Sequence, residues 1–558
     1  MTASWLPFSG GPASAAAASL PFLPPWAPPL LALAAAAWAA SLLVRAARAT
    51  ADVARIAHGL RSVPYAPDHH PLLGHALGLL RGVYWDTMEA WWRAGRSEGA
   101  PLVQMVIGHR RMVVVGCAEG AREIFQTKVR SFAKDLDFSF KPFLPILGTG
   151  LVTASGRLWQ SQRLLIAPAL RVDVLEVVPG IAVRAAERLC AKLRGIVEAA
   201  AAAAAAGGAK AAPPVVDLEE EFRLLTLQVI GEAILSLPPD ECDAVFPELY
   251  LPVMEEANLR ALRPWRALVP GPGGAAYTKG IARLDGYITS LLRSRWAARG
   301  KADAPPHDDI LERMLAAIAA RGEAWSPALE TQLCFDVKTF LLAGHETSAA
   351  MLTWTLYELC SGGGVAGGEG RECLDAVRRE AAAVLGVAGG VPTPVAAVPT
   401  REAAETGLDT ALNCLKESLR KYTVVPVVTR VVCSDGVTLC GVPVPRGTYI
   451  AMLAQAVHKG KWDSPGAWRP SRFAPGGEYD SFPEAIRPFT YVPFIQGPRN
   501  CLGQYFALLE ARIVLARLVA EFDFAKATPG APARHPAVIP TGPEGGMPMR
   551  VSVRGGKA

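Results

Sequence analysis

The sequence predicts a mainly α chain with a small β region. Helical periodicity recurs along it: at Ala118–Gln126, from Val215 past Leu235, from Pro327 to about Cys360, at Cys373–Val384 and at Gln504–Val519. Strand signals are few and short. Pro101–Ile107 and Met112–Val115 flank Gly108–Arg111 as a β-hairpin, and Val424–Val428, Val437–Leu439 and Thr448–Leu453 follow much later. Apolar residues make up 51% of 558, enough to bury a large core.

From the N-terminus, Met1–Val44 carries no charged side chain. Its most apolar part, Leu30–Val44, is short for a span of about 20 residues unless Trp26–Pro29 join it. Arg45, Arg48 and Arg55 follow, and the positive-inside rule keeps the chain after them cytosolic. Residues 1–44 therefore read as an uncleaved membrane anchor. A cleaved secretory signal competes with that reading, and so does a transit peptide, although no Arg precedes position 45. Residues 45–75 read as a basic, proline-rich hinge, with Pro64, Pro67 and Pro71 as a stiff extended link. Residues 76–558 read as one catalytic domain interrupted by low-complexity inserts near 199–214, 361–370 and 386–400.

Composition narrows the function classes. Net charge is +6 and spread out, so nucleic acid is not a partner, though a basic face for an acidic protein or anionic lipid fits. Ten cysteines lie far apart with no C-x-x-C pair, as reduced thiols rather than a disulfide framework or zinc site.

One cysteine has a chemically legible setting, in Phe494–Gly503. Gly497 can take the positive φ of a tight turn, Pro498 stiffens the next step, and Arg499 places a cation two residues before Cys501. Gly503 lets backbone pass close to a flat ligand. The helix after it puts Cys501 near an N-terminus, where backbone N–H groups favour a thiolate. A soft thiolate there suits an axial iron ligand; a buried structural cysteine is the plainer alternative.

Three further clusters carry chemistry. In the apolar Pro327–Cys360 helix, His345, Glu346, Thr347 and Ser348 are four consecutive polar residues that need partners, a cavity or water. Ala343 and Gly344 before them leave room for a flat ligand, and the Thr347 hydroxyl can take a helix carbonyl and open a kink. Trp159 and Arg163, four apart, share a helix face on which both can hold a carboxylate. Glu417 and Arg420, three apart, make a plausible buried pair.

Together these motifs resemble the cytochrome P450 family. Phe494, Gly497, Arg499, Cys501 and Gly503 match its haem-thiolate pattern, Ala343–Ser348 matches its I helix, and the motifs fall in the family's order from about Pro64 onward. The resemblance implies the P450 fold, with haem b between the long central helix and the helix after the Cys loop. It implies Cys501 as iron ligand. Trp159, Arg163, Arg430 and Arg499 would form a cationic cage for the propionates. Thr347 would hold a water or hydroperoxide, with Glu346 in the proton path. Arg472 would complete a lock with Glu417 and Arg420, although Ser471 stands where the family usually has Glu.

The implied reaction is transfer of one oxygen atom from O₂ to a lipophilic small molecule: a fatty acid, carotenoid or other isoprenoid. Electrons would come from an NADPH-cytochrome P450 reductase or a ferredoxin-type donor, with the domain cytosolic on the endoplasmic reticulum or routed to a plastid. Two alternatives share the haem-thiolate centre. One is a hydroperoxide isomerase or lyase needing no reductase, and the other is a non-catalytic haem-binding sensor.

Overall fold

The computed structural model describes residues 27–170, 172–207, 212–267, 272–301, 307–360, 369–387, 394–528, 530, 532, 534–535 and 539–555. Residues 1–55 form one unit and 56–558 a second. Helices dominate, and the small β region is a five-stranded sheet plus two lesser ones.

The first helix, Ala27–Gly59, is longer than the expected anchor and takes in Arg45, Arg48 and Arg55. The first half of the expected hinge is thus helical. Among the described residues no helix is long and apolar enough to cross a membrane, which corrects the expected span: Leu30–Val44 is short, seven of its fifteen residues are alanine, and the basic residues follow at once. Residues 1–26 of that expectation lie outside the described residues. The proline-rich stretch is not a free link either. Tyr65 bridges to Gln104, Gln104 donates from its backbone to Pro64, and Leu60 and Val63 are buried.

Two buried layers position the site. In the helical layer, Gln504–Glu521 is buried all along its last three turns. It packs on Val172–Ala206, Gly370–Leu385, Asp409–Tyr422 and Glu346–Cys360. A helix enclosed on every side forces its polar groups to pair: Arg517 meets Glu187 and Glu521, each at 2.6 Å. In the sheet layer the order is Val103–Ile107, Arg110–Val115, Tyr449–Leu453, Val427–Val432 and Phe132–Ala133. The second and third strands are parallel and the other pairs antiparallel.

Several expected elements differ. The Pro327–Cys360 helix is two: Pro327–Gly344, started by Ser326 accepting from the Leu329 N–H, and Glu346–Cys360. The expected loop at Ala199–Ala206 is the last two turns of Val172–Ala206, because an alanine run propagates a helix already nucleated. Val215–Asp217 is a strand beside Pro548–Val553, and the helix begins only at Leu218. The inserts at 361–368 and 388–393 lie outside the described residues.

Candidate active site

The Cys loop is built on one glycine. Gly497 has φ +73°, and a Cβ there would lie 2.0 Å from the Phe125 carbonyl oxygen. The loop therefore presses on the helical segment Ala118–Thr127, an approach that only glycine permits. The Cys501 N–H donates to the Phe494 carbonyl (2.8 Å) and closes the turn, while Phe494 packs on the main core. Cys501 faces open space, yet protein surrounds it and burial pushes its thiol up. Opposing that rise are the Gly503 and Gln504 N–H groups, at the start of Gln504–Glu521, and Arg163. A Cβ on Gly503 would meet nothing nearer than the Cys501 sulfur at 4.0 Å, so the sulfur's approach is clear on that side.

Trp159 and Arg163 lie on the Gly156–Ala169 helix beside this loop. Arg163 donates to the Asn500 carbonyl (2.9 Å) and side-chain oxygen, so two of its donors brace the loop rather than wait for a carboxylate. Arg499 stacks on the Trp159 ring at 4.2 Å and donates to the Ala154 carbonyl at 3.2 Å.

Arg430 sits on Val427–Val432, 3% exposed, with its guanidinium 5.9 Å from the Phe125 ring. Its hydrogen bond to a side of the site is to the Thr429 carbonyl, 2.7 Å. Antiparallel pairing of Phe132 with Val432 and Ala133 with Val431 brings Lys134 next to it. Burial, then Arg499, lowers Arg430 to about 10; burial, then Arg430 and Arg499, lowers Lys134 well below its ordinary range. Among the described residues no carboxylate pairs with Lys134, Arg430 or Arg499. One buried and two half-buried cations gathered without an anion are costly unless an anionic group completes them, and the two propionates of haem fit that demand. Lys134 was not legible in the sequence, since a lysine after a two-residue strand carries no pattern.

At the helix break, the Thr347 hydroxyl donates to the Ala343 carbonyl (2.6 Å) and Thr226 donates to the His345 carbonyl (2.9 Å). Ala343 is exposed within this otherwise buried helix. Gly344 departs from expectation: a Cβ there would meet Ile230 at 2.6 Å, so its missing side chain serves close packing on Leu218–Leu235. Glu346 turns toward Arg223 of that helix, 3.7 Å away; burial raises its carboxyl and Arg223 opposes the rise. Arg223, in the acid-rich stretch Glu219–Arg223, reads in sequence as a solvated face. His345, Tyr250 and Ser348 are fully buried, and their side-chain polar atoms have no hydrogen-bond partner among the described residues.

Glu417 holds two arginines. Arg420 meets it twice at 2.7 Å and Arg472 once at 3.2 Å, all three buried.

The model of the family described as Cytochrome P450 matches residues 64–544. The chain belongs to the cytochrome P450 family. Among its relatives is the protein LUTEIN DEFICIENT 5, chloroplastic, of Arabidopsis thaliana, 27% identical over 77% of this chain and 68% of that protein. Cytochrome P450 4V2 of Homo sapiens is 26% identical, covering 87% of this chain and 88% of its own length. An ultra-long-chain fatty acid omega-hydroxylase of Homo sapiens is 25% identical over 69% of each chain. The crystal structure of the cytochrome P450DA haem domain superposes with a TM-score of 0.71 at 23% identity, covering 88% of this chain and 97% of that one. As a P450 the protein is a haem-iron oxidoreductase of the monooxygenase type that uses O₂, and the P450 fold sets haem between the broken central helix and the Cys loop.

Proposed function

We propose that this P450 hydroxylates a lipophilic substrate of the fatty-acid or isoprenoid class, using electrons from an NADPH-dependent reductase or ferredoxin-type donor. Support comes from the intact acid–alcohol pair, Glu346 and Thr347, at the break in a buried helix. The named relatives, a fatty acid hydroxylase and a protein named for lutein deficiency, favour that substrate range.

Cys501 would bind the iron, and Lys134, Arg430 and Arg499 with Trp159 would hold the propionates of haem b. When bound, the haem supplies iron at which O₂ is reduced and from which one oxygen atom is transferred. Thr347 donates its own proton to Ala343, which leaves its oxygen lone pairs free to accept from a water and orient it. Glu346, buried beside Arg223, can hold a proton at its carboxyl or release it at modest cost, because burial favours the neutral form and the guanidinium the ionised one. The N-terminal segment would tether the enzyme to a membrane, the endoplasmic reticulum or a plastid envelope.

The test is turnover of the purified full chain with reductase and NADPH, offered a fatty acid and a carotenoid. Hydroxylated product matched to NADPH consumption is the expected result. Product from a fatty-acid hydroperoxide without NADPH would replace the proposal with an isomerase, and binding without turnover would replace it with a sensor.

A further inference from the structure

Outside the site, two thiols far apart in sequence meet. Cys117 precedes the helix Ala118–Arg122, which continues as a π-turn through Thr127. Cys440 occupies the turn between Thr438–Leu439 and Val442–Pro443, with φ +48°, a backbone conformation costly for a non-glycine residue. Their sulfurs are 3.7 Å apart across 323 residues of chain, and both residues are half-buried. A Cβ on Gly120 would meet Val115 at 2.4 Å and the two sulfurs at 3.3 and 3.4 Å, so the glycine lets the helix pack closely against Val115 and beside both thiols.

A polar clamp fixes the pair. Lys128 donates to Glu123 (2.7 Å) and to the Thr438 carbonyl and hydroxyl (2.7 and 2.9 Å), tying the turn to the helix. The two sulfurs are inequivalent: the Cys440 thiol and the Gly120 N–H both favour the thiolate at Cys117, lowering it against burial and Glu119.

We propose that Cys117 and Cys440 are a redox-modification site that closes to a reversible intrachain disulfide on reaction with hydrogen peroxide. The Cys117 thiolate attacks the peroxide O–O bond, forming a sulfenic acid and releasing one water. The Cys440 sulfur then displaces the sulfenic oxygen as a second water, with formation of the S–S bond. Two electrons pass from the sulfurs to the peroxide, and the two thiol protons leave in the waters. The sulfurs must close from 3.7 Å to about 2.05 Å. The same helical segment carries Phe125, whose carbonyl seats Gly497 and whose ring lies under Arg430, so the disulfide would brace the support of the Cys loop.

Full-length holoprotein titrated with hydrogen peroxide, alkylated and digested without reduction tests this, with exposed Cys433 as the internal gauge of oxidation. The expected result is a Cys117–Cys440 cross-linked peptide that dithiothreitol removes, with a rise in Tm in the wild type. In C440S the rise disappears and dimedone traps Cys117 as sulfenic acid. The proposal is overturned if both thiols remain alkylatable once Cys433 is oxidised. Cys117 reaching sulfinic acid while Cys440 stays free would equally overturn it.

Discussion

Arg430 is almost wholly buried, and the groups nearest to it in charge are Lys134 and Arg499. Such a side chain stabilises the folded protein only when an anion is present. R430L is therefore expected to raise the Tm of the haem-free protein and to speed haem loss from the holoprotein about tenfold, since a charge-assisted hydrogen bond contributes roughly 1.5–3 kcal/mol. Haem transfer to an apo-globin acceptor measures the second effect, and an unchanged transfer rate would remove Arg430 from the cage. At Glu346, E346Q should leave substrate-induced spectral shifts intact while slowing product formation by about 10²-fold, the low end of what a positioned acid contributes. Equal losses in binding and rate would mean a structural role instead. The positive φ of Gly497 was legible from residue type in a tight turn, whereas Arg430 was singled out only by the family resemblance. Lys134 and Arg223 act through partners that only pairing of strands and helices brings close.

Helix Asp409–Tyr422 and the turn Pro470–Phe473 are joined by one carboxylate. Glu417 faces Arg420 and Arg472, and the Arg469 N–H adds a bond of 2.9 Å. The serine at 471 does not weaken the arrangement, because other acids take up the surrounding donors. Ser471 donates from its backbone and hydroxyl to Glu369, and Arg472 pairs with Glu478. Removing the shared partner would leave two buried guanidinium groups uncompensated, so E417A should cost about 3–5 kcal/mol in denaturant unfolding. A loss below 1 kcal/mol would show that the arginines find other acceptors. Sequence periodicity located most helices but not their ends. It ran the central helix through His345, because a break made by side-chain hydroxyls leaves apolar spacing intact. It also read Ala199–Ala206 as loop, because low complexity hides a strong helix former.

Across the whole molecule, two fully buried imidazoles contribute to the response to acid. His458 is buried with its Nε2 accepting from the Val492 N–H at 2.8 Å and its Nδ1 at 3.0 Å from the Thr423 hydroxyl; burial, then Arg420, lowers it to about 3. Burial, then Arg223, lowers His345 likewise to about 3. Both are neutral in the folded chain, whereas an unfolded imidazole titrates near 6.5. Between those values the unfolded state binds more protons, so stability is full above pH 6.5 and falls as pH drops toward 3. Each imidazole contributes up to about 1.4 kcal/mol per pH unit. Asp336 and Glu219, both raised by burial to about 7, act in the opposite sense over the same window, so the imidazole contribution is read as a difference. From pH 7 to 4 the denaturant midpoint of H458Q should fall less than that of the wild type, by the slope of one proton. Removal of residues 1–55, a unit of their own, should leave haem uptake and the unfolding midpoint unchanged while reducing co-sedimentation with membranes. The larger unit runs from residue 56 to residue 558. The course of residues 45–75 was not legible in the sequence, since Pro64, read as part of a spacer, accepts from the Gln104 N–H.

On the proposed cage, the gathering of Lys134, Arg430 and Arg499 would also make biosynthesis of this protein a two-component affair. A polypeptide whose interior repels itself until a tetrapyrrole arrives will persist in the cell only as fast as porphyrin is delivered. Its abundance should follow the supply of that pigment precursor more closely than the level of its own messenger. Polyvalent anions such as citrate should compete with loading during reconstitution, in proportion to their charge.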